Sequence, residues 1–201
     1  MTVALVDDDE AVLDSLRMAL ESRSIAVRCF TSAEAFMESL DELRPRCVVS
    51  DVRMPGWSGI ELQQALKARD ATLPLILITG HGDIPMAVNA IKEGAFDFIE
   101  KPFDYERLID SIMKAIEYGD RAQSAQAQLV DLAQRVGELS ERQREVMDRV
   151  VEGLSNKEIA QALGISPRTV ENYRAWVMEK MGATNLADLV RKVLLLNSHA
   201  R

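Results

Sequence analysis

Over the first 118 residues two hydrophobic periods take turns. Short apolar runs of strand character are Val3-Ala4-Leu5-Val6, Ile25-Ala26-Val27, Val48-Val49-Ser50, Leu75-Ile76-Leu77-Ile78 and Phe96 to Ile99. After each comes a stretch whose apolar residues recur every three or four positions. The first has Val12, Leu16, Ala19 and Leu20 on one face, and the second has Ala33, Phe36 and Leu40. The third has Leu62, Ala65 and Leu66, the fourth Ala87, Ala90 and Ile91, and the fifth Leu108, Ile109, Ile112 and Ile116. Such spacing is that of amphipathic helices. Thr31-Ser32 and Asp83 have the chemistry of helix N-caps. Strands alternating with helices imply a parallel sheet covered on both faces, and a doubly covered strand is apolar throughout rather than at alternate positions. Residues 1–118 are therefore expected to form a five-unit α/β domain.

The pattern then changes. Residues 119–137 run from Gly119-Asp120-Arg121 into an Ala- and Gln-rich stretch with Leu129, Leu132, Ala133 and Val136 at helical spacing, which predicts a linker helix. Residues 138–201 carry only the helical period. Four helix starts are visible: Ser140 with Gln143, Ser155 with Glu158, Ser166 with Pro167 behind it, and Thr184-Asn185. Gly153, Gly164 and Gly182 fall between them, where a left-handed C-cap favours glycine.

The net charge of −8 is unevenly spread. Residues 1–120 hold 22 Asp and Glu against 12 Lys and Arg, whereas residues 138–201 hold 9 against 10. DNA phosphates would be repelled by the first part and tolerated by the second. Cys29 and Cys47 each sit in a short apolar run with no second ligand cluster nearby, which predicts buried structural thiols. The N-terminus opens directly on an apolar strand and an acid cluster, and no apolar run approaches a membrane span. A cytoplasmic protein with no membrane partner is expected.

Chemistry concentrates just after the strands. The first ends in Asp7-Asp8-Asp9-Glu10, the third in Asp51, the fourth in Thr79-Gly80 and the fifth in Glu100-Lys101-Pro102. In an open α/β sheet, sites form at the carboxyl ends of strands near the point where strand order reverses. Clustered carboxylates are tolerable around a hard divalent cation, and Mg²⁺ suits a sparse carboxylate site that keeps its waters. A carboxylate can accept a phosphoryl group, whose oxygens a metal, a lysine and a hydroxyl would neutralise. Each feature alone has a plainer reading as a solvated turn or helix cap. Together, on the expected strands, they point to an acyl-phosphate site.

The runs Asp7-Asp8-Asp9, Asp51-Val52-Arg53-Met54-Pro55-Gly56, Ile78-Thr79-Gly80-His81-Gly82 and Lys101-Pro102-Phe103 resemble bacterial receiver domains. The stretch His81-Gly82-Asp83-Ile84-Pro85 is similar to the FixJ-type subgroup. The resemblance implies a flavodoxin-like sheet of order 2-1-3-4-5 with Asp51 as phosphoacceptor. It implies Mg²⁺ held by Asp8, Asp51 and the Arg53 backbone carbonyl, with Asp7 acting through water. It implies Lys101 and Thr79 on the phosphoryl group, Phe98 as the switch aromatic, and a cis Lys101-Pro102 bond. Without the resemblance Phe98 reads as a core residue and His81 as an incidental loop histidine.

In the last segment a helix at 155–163 and one at 166–181 flank Gly164-Ile165, the short glycine turn of a helix-turn-helix. Ala160, Leu163, Ile165, Val170 and Val177 would form its core. Arg168, Glu171, Asn172, Ala175 and Glu179 would face outward, where Arg, Asn and Glu can address base edges. Lys157, Ser166, Thr169, Arg174 and Lys180 are candidates for phosphate contacts. A helical bundle that binds protein is the competing reading. The segments from Leu139 to Gln143, Gly153 to Ala160 and Ser166 to Glu171 resemble the LuxR/NarL/FixJ effector domain, an all-α four-helix unit. Asn172-Tyr173-Arg174 departs from the apolar-His-Arg sequence frequent there, which puts the family's usual operator in doubt.

The resemblances together imply a response regulator: residues 1–118 a receiver, 119–137 a linker, 138–201 a DNA-binding domain. A sensor histidine kinase would phosphorylate Asp51. The homodimer formed on phosphorylation would bind promoter DNA, with RNA polymerase as a further partner. Two rivals stand beside this. A phosphatase with an aspartyl-phosphate intermediate usually carries a second Asp two residues after the nucleophile, where this chain has Arg53, so no enzyme activity beyond slow self-dephosphorylation is expected. An interaction protein with a vestigial receiver would not need the full set of acids, Thr79 and Lys101.

Overall fold

The computed structural model describes residues 1–80 and 84–199. His81 and the cap expected at Asp83 lie outside the described residues. The chain divides into two compact units, Met1–Gln123 and Ser124–Arg201.

The first unit runs β1 (Thr2–Val6), α1 (Glu10–Glu21), β2 (Ala26–Phe30), α2 (Ala33–Leu43), β3 (Cys47–Asp51), α3 (Gly59–Arg69), β4 (Leu75–Thr79), α4 (Ile84–Lys92), β5 (Asp97–Glu100) and the part of α5 (Tyr105–Gly137) up to Gln123. The strands are all parallel, in the order β2-β1-β3-β4-β5. The alternation of strand side chains explains the unbroken apolar runs. Val3, Leu5, Val49, Ile76 and Ile78 pack on one face against Leu13, Leu16 and Leu20 of α1 and Leu108, Ile112 and Ile116 of α5. Ala4, Val6, Val48, Leu75 and Leu77 pack on the other against Phe36 of α2 and Leu62 and Leu66 of α3.

Several local expectations need revision. Leu13 is buried on α1 while Val12 beside it is only partly so. On α4 Ala90 is buried but Ile91 is 46% exposed, so its apolar face is not wholly turned inward. Cys47 is buried as expected, but Cys29 on the edge strand β2 is only half-buried. The helix expected over residues 119–137 is present. The predicted linker helix is the later part of α5, and Gly119 lies within it. A Cβ at Gly119 would come 2.9 Å from Pro74 Cδ, so its absence lets α5 pass close to the loop before β4.

The second unit contains α6 (Glu141–Val151), α7 (Asn156–Leu163), α8 (Pro167–Lys180) and α9 (Leu186–His199). Ser140 with Gln143 and Ser155 with Glu158 form reciprocal capping boxes, and Ser166 caps α8 with Pro167 in its first turn. Val146, Ile159, Val170, Val177, Met181 and Leu189 are its core, joined by Leu132 from the end of α5. No helix among the described residues is long and apolar enough to cross a membrane.

Candidate functional site

Helices on opposite faces leave β1 and β3 in opposite directions, so the carboxyl ends of these adjacent strands face an open crevice. Asp7 stands one residue beyond β1 and Asp51 is the last residue of β3. Both are buried, and Lys101 bridges them. Its Nζ donates to Asp51 Oδ1 at 2.7 Å and to Asp7 Oδ2 at 3.0 Å. Lys101 is placed by its own backbone, whose N–H donates to Thr79 O at 2.7 Å. The Lys101-Pro102 bond is cis, as the resemblance implied. Thr79 ends β4, next in the sheet, with its side chain buried. Phe98, in the middle of β5, is half-buried against the core on the α2–α3 side.

The backbone orients these acids further. Asp51 Oδ2 accepts from Arg53 N–H at 2.7 Å, and Asp7 Oδ1 accepts from Asp9 N–H at 3.0 Å. Burial raises the Asp7 carboxyl above its ordinary value, although hydrogen bonds from the Asp9 backbone and from Lys101 act the other way. For Lys101 burial works against the ammonium, but the hydrogen bonds and charges of Asp51 and Asp7 outweigh it and raise its pKa. The site thus holds negative charge at some expense and draws the Lys101 ammonium to it.

The expected trio of acids is a pair with an exposed third: Asp8 points to solvent, and among the described residues no three His, Cys, Asp or Glu side chains converge as a preformed metal cage. The donors nonetheless fit Mg²⁺. All are oxygens, two carboxylates are drawn together on one ammonium, and the exposed Asp8 stands next in the chain.

Two supports of this site escaped the sequence reading. A Cβ at Gly59 would sit 2.3 Å from the carbonyl oxygen of Asp51, so only glycine lets α3 begin directly beneath the acid. Glu34 Oε1 accepts from Trp57 N–H at 2.9 Å and closes on Gly56, whose φ is +75°, which holds the loop after Asp51. The glycine between Ser58 and Glu61, a capping box, was the available signal for the first. The second pairs residues 23 apart and left no local mark.

In the second unit Gly164 ends α7 with φ +65°, and Ile165 N–H returns to Ala160 O at 3.0 Å, making the turn between α7 and α8. Arg168, Glu171, Asn172, Ala175 and Glu179 are exposed along α8 as expected. Arg168 and Glu171 approach within 3.6 Å. Lys157 is exposed on α7. Ser166 Oγ accepts from Thr169 N–H at 3.1 Å and lies 2.8 Å from the Thr169 hydroxyl, so both sit at the positive end of α8. Arg174 is partly buried, with Nη1 donating to Asn156 Oδ1 at 2.7 Å. Lys180 is tied inward: Nζ donates to Glu138 O at 2.9 Å and to Gln143 Oε1 at 3.0 Å. Trp176, unremarked in the sequence, is 49% exposed one turn beyond Asn172 and packs edge-on against Tyr173.

Comparison with known proteins places both units. Residues 3–113 match the response regulator receiver domain family, and residues 137–193 match the bacterial regulatory proteins of the luxR family. The chain is 49% identical over 189 residues to the transcriptional regulatory protein FixJ of Bradyrhizobium diazoefficiens, covering 94% of this chain and 92% of that protein. It resembles the solved response regulator StyR with a TM-score of 0.82 at 40% identity, over 96% of this chain and 97% of that one. The beryllofluoride-activated receiver domain dimer of NtrC4 matches 59% of this chain and 98% of its own, with a TM-score of 0.57 at 35% identity.

Proposed function

The chain belongs to the two-component response regulators that control transcription through a luxR-family DNA-binding domain, and from that premise we propose that phosphorylation of Asp51 by a sensor histidine kinase switches its dimerisation and its sequence-specific DNA binding. The observation that carries this reading is the Lys101 ammonium bonded to both Asp51 and Asp7 at the carboxyl ends of β3 and β1.

In the proposed transfer the bond from phosphorus to the kinase's histidine nitrogen breaks, and one from phosphorus to an Asp51 carboxylate oxygen forms. Lys101 offsets the charge that accumulates on the phosphoryl oxygens, and the Thr79 hydroxyl donates to one of them. Asp8, Asp51 and the Arg53 carbonyl would hold Mg²⁺, with Asp7 contributing through water; when bound, the ion supplies further charge neutralisation. The new group adds about two negative charges where Lys101 now bonds a carboxylate. Thr79 and Lys101 are then drawn toward it, Phe98 follows, and the face of α4, β5 and α5 changes. That face exposes Ile84, Val88 and Ile91, apolar surface suited to a second copy of the chain.

A dimer presents two copies of α8 to DNA and fixes half-site spacing. Arg168, Glu171 and Asn172 would address base edges. Lys157, Ser166, Thr169 and Arg174 would take phosphates. RNA polymerase would be the further partner on the promoter. Arg53 occupies the place of a phosphatase's second acid, which supports slow self-dephosphorylation rather than turnover.

The test uses acetyl phosphate as donor. One phosphoryl group should add to the parent with Mg²⁺ and none to Asp51→Asn, by intact mass. With beryllofluoride the parent, but not the variant, should double its mass in light scattering and bind selected DNA more tightly. Equal labelling of both proteins would refute the assignment of Asp51.

A further inference from the structure

Helix α4 rests on a small footprint. Ala90 is its one buried residue among those described, whereas Ile84, Val88 and Ile91 are 81%, 43% and 46% exposed. At Ala90 the neighbouring helix α3 contributes Gln63, which is 4% exposed. Gln63 Nε2 donates to Ala90 O at 2.8 Å. At the other end of this carboxamide, Oε1 is buried with no donor. The chemistry fixes the orientation, because turning the amide over would set its oxygen against the Ala90 carbonyl.

Nor does Ala90 O depend on Gln63, since it already accepts from Ala95 N–H at 3.0 Å. Gln63 therefore adds one spare hydrogen bond and leaves one buried carbonyl unsatisfied, and the second effect outweighs the first. Gln63 and Ala90 themselves, with Ile60, Met86, Asn89 and Glu93, line a cleft of about 280 Å³, from which Oε1 is shut off. Widening that cleft would admit water to the orphan oxygen.

We infer that Gln63 is a positioning residue that keeps the seat of α4 on α3 shallow, so that α4 lifts more readily than an apolar side chain at this position would allow. Lifting α4 hydrates Oε1 and gives up the burial of Ala90, the partial burial of Met86 and the spare hydrogen bond from Gln63 Nε2. The regulatory consequence rests on the proposal that the α4–β5–α5 face carries the output. A shallow seat lowers the phosphoryl signal needed to displace that face.

Hydrogen exchange on the full chain tests the seat directly. The reporters are the amides of Glu93, Gly94 and Ala95, which bond to the carbonyls of Asn89, Ile91 and Ala90. Val48 N–H, bonded to Pro74 O across the sheet, is the reference for whole-domain opening. Gln63→Leu removes the orphan oxygen at similar volume and should slow exchange at the three reporters about tenfold. Gln63→Glu sets a carboxylate against Ala90 O and should speed it by at least as much. Unchanged or faster exchange in Gln63→Leu overturns the inference, and so does an equal change at Val48, which would mean general stabilisation.

In light scattering the beryllofluoride concentration for half-maximal dimerisation should rise several-fold in Gln63→Leu and fall in Gln63→Glu. Midpoints unmoved in both variants, with a parent that does dimerise, overturn the regulatory role. A parent that fails to dimerise refutes the dimerisation proposal instead, and the exchange factors still decide the seat.

Discussion

Replacing Lys101 by Met keeps most of the aliphatic stem and removes the ammonium between two buried carboxylates. The side chains of Asp7 and Asp51 are only 7% and 10% exposed, while that of Lys101 is 27% exposed. Breaking a fully buried ion pair costs about 3–5 kcal/mol. Water already reaches this ammonium and can enter from the crevice, so a loss of about 2 kcal/mol is expected near neutral pH. The sign with pH follows from Asp7. Its folded-state pKa lies above the ordinary value of 3.8 because of burial. A raised acid stabilises the fold fully below its unfolded pKa and loses that contribution as pH rises through the folded value. Losing Lys101 removes two of the effects that lower the Asp7 pKa and keeps the Asp51 charge that raises it, so in the variant the window moves to higher pH.

The chain has two tryptophans, Trp57 and Trp176. In a Trp176→Phe background, Trp57 fluorescence reports urea unfolding of the first unit. Without Mg²⁺ the deficit of Lys101→Met should be about 2 kcal/mol near neutral pH and become smaller in acid, as the Asp7 carboxyl takes up a proton. Mg²⁺ should restore part of it. A deficit equal at neutral and acid pH and indifferent to Mg²⁺ would refute the view that Lys101 is there to balance these charges.

Other consequences are as specific. Gly59→Ala should destabilise the first unit by about 2–3 kcal/mol and slow labelling of Asp51 by acetyl phosphate, because the new Cβ meets backbone that cannot move aside; unchanged stability would mean α3 shifts freely. Arg168→Ala should weaken binding to selected DNA by about 1–3 kcal/mol and relax preference at one position. Lys180→Met should instead lower the stability of the second unit by about 1 kcal/mol, followed by Trp176 fluorescence in a Trp57→Phe background. A reduced salt slope with intact stability would make Lys180 a phosphate contact after all. Burial pushes the Cys47 thiol far above the ordinary range and raises Cys29 less. A thiol reagent on the native protein should therefore modify Cys29 first and reach Cys47 only on unfolding.

The alternation of strand and helix, the four capped helices of the second unit and the order of Asp7, Asp51, Thr79 and Lys101 were legible in the chain itself. Each depends on neighbours within a few positions, or on the rule that sites collect at the carboxyl ends of parallel strands. Resemblance to known families then supplied the strand order, the cis bond and the roles of the site residues. What tertiary structure alone decided was which charges meet. It brought Lys101 to Asp7 across 94 positions and Asp51 across 50, and left the adjacent Asp8 in solvent. It turned Lys180 inward to Glu138 and Gln143, placed Gly119 inside a helix and half of the α4 apolar face outside the core. The orphan oxygen of Gln63 had no sequence signature either. Helical period marks a position as inward-facing, but whether a carboxamide there finds one partner or two depends on the opposing helix. Hydrophobic period is a local property of the chain, whereas hydrogen-bond satisfaction and charge pairing belong to surfaces that exist only once the elements have packed.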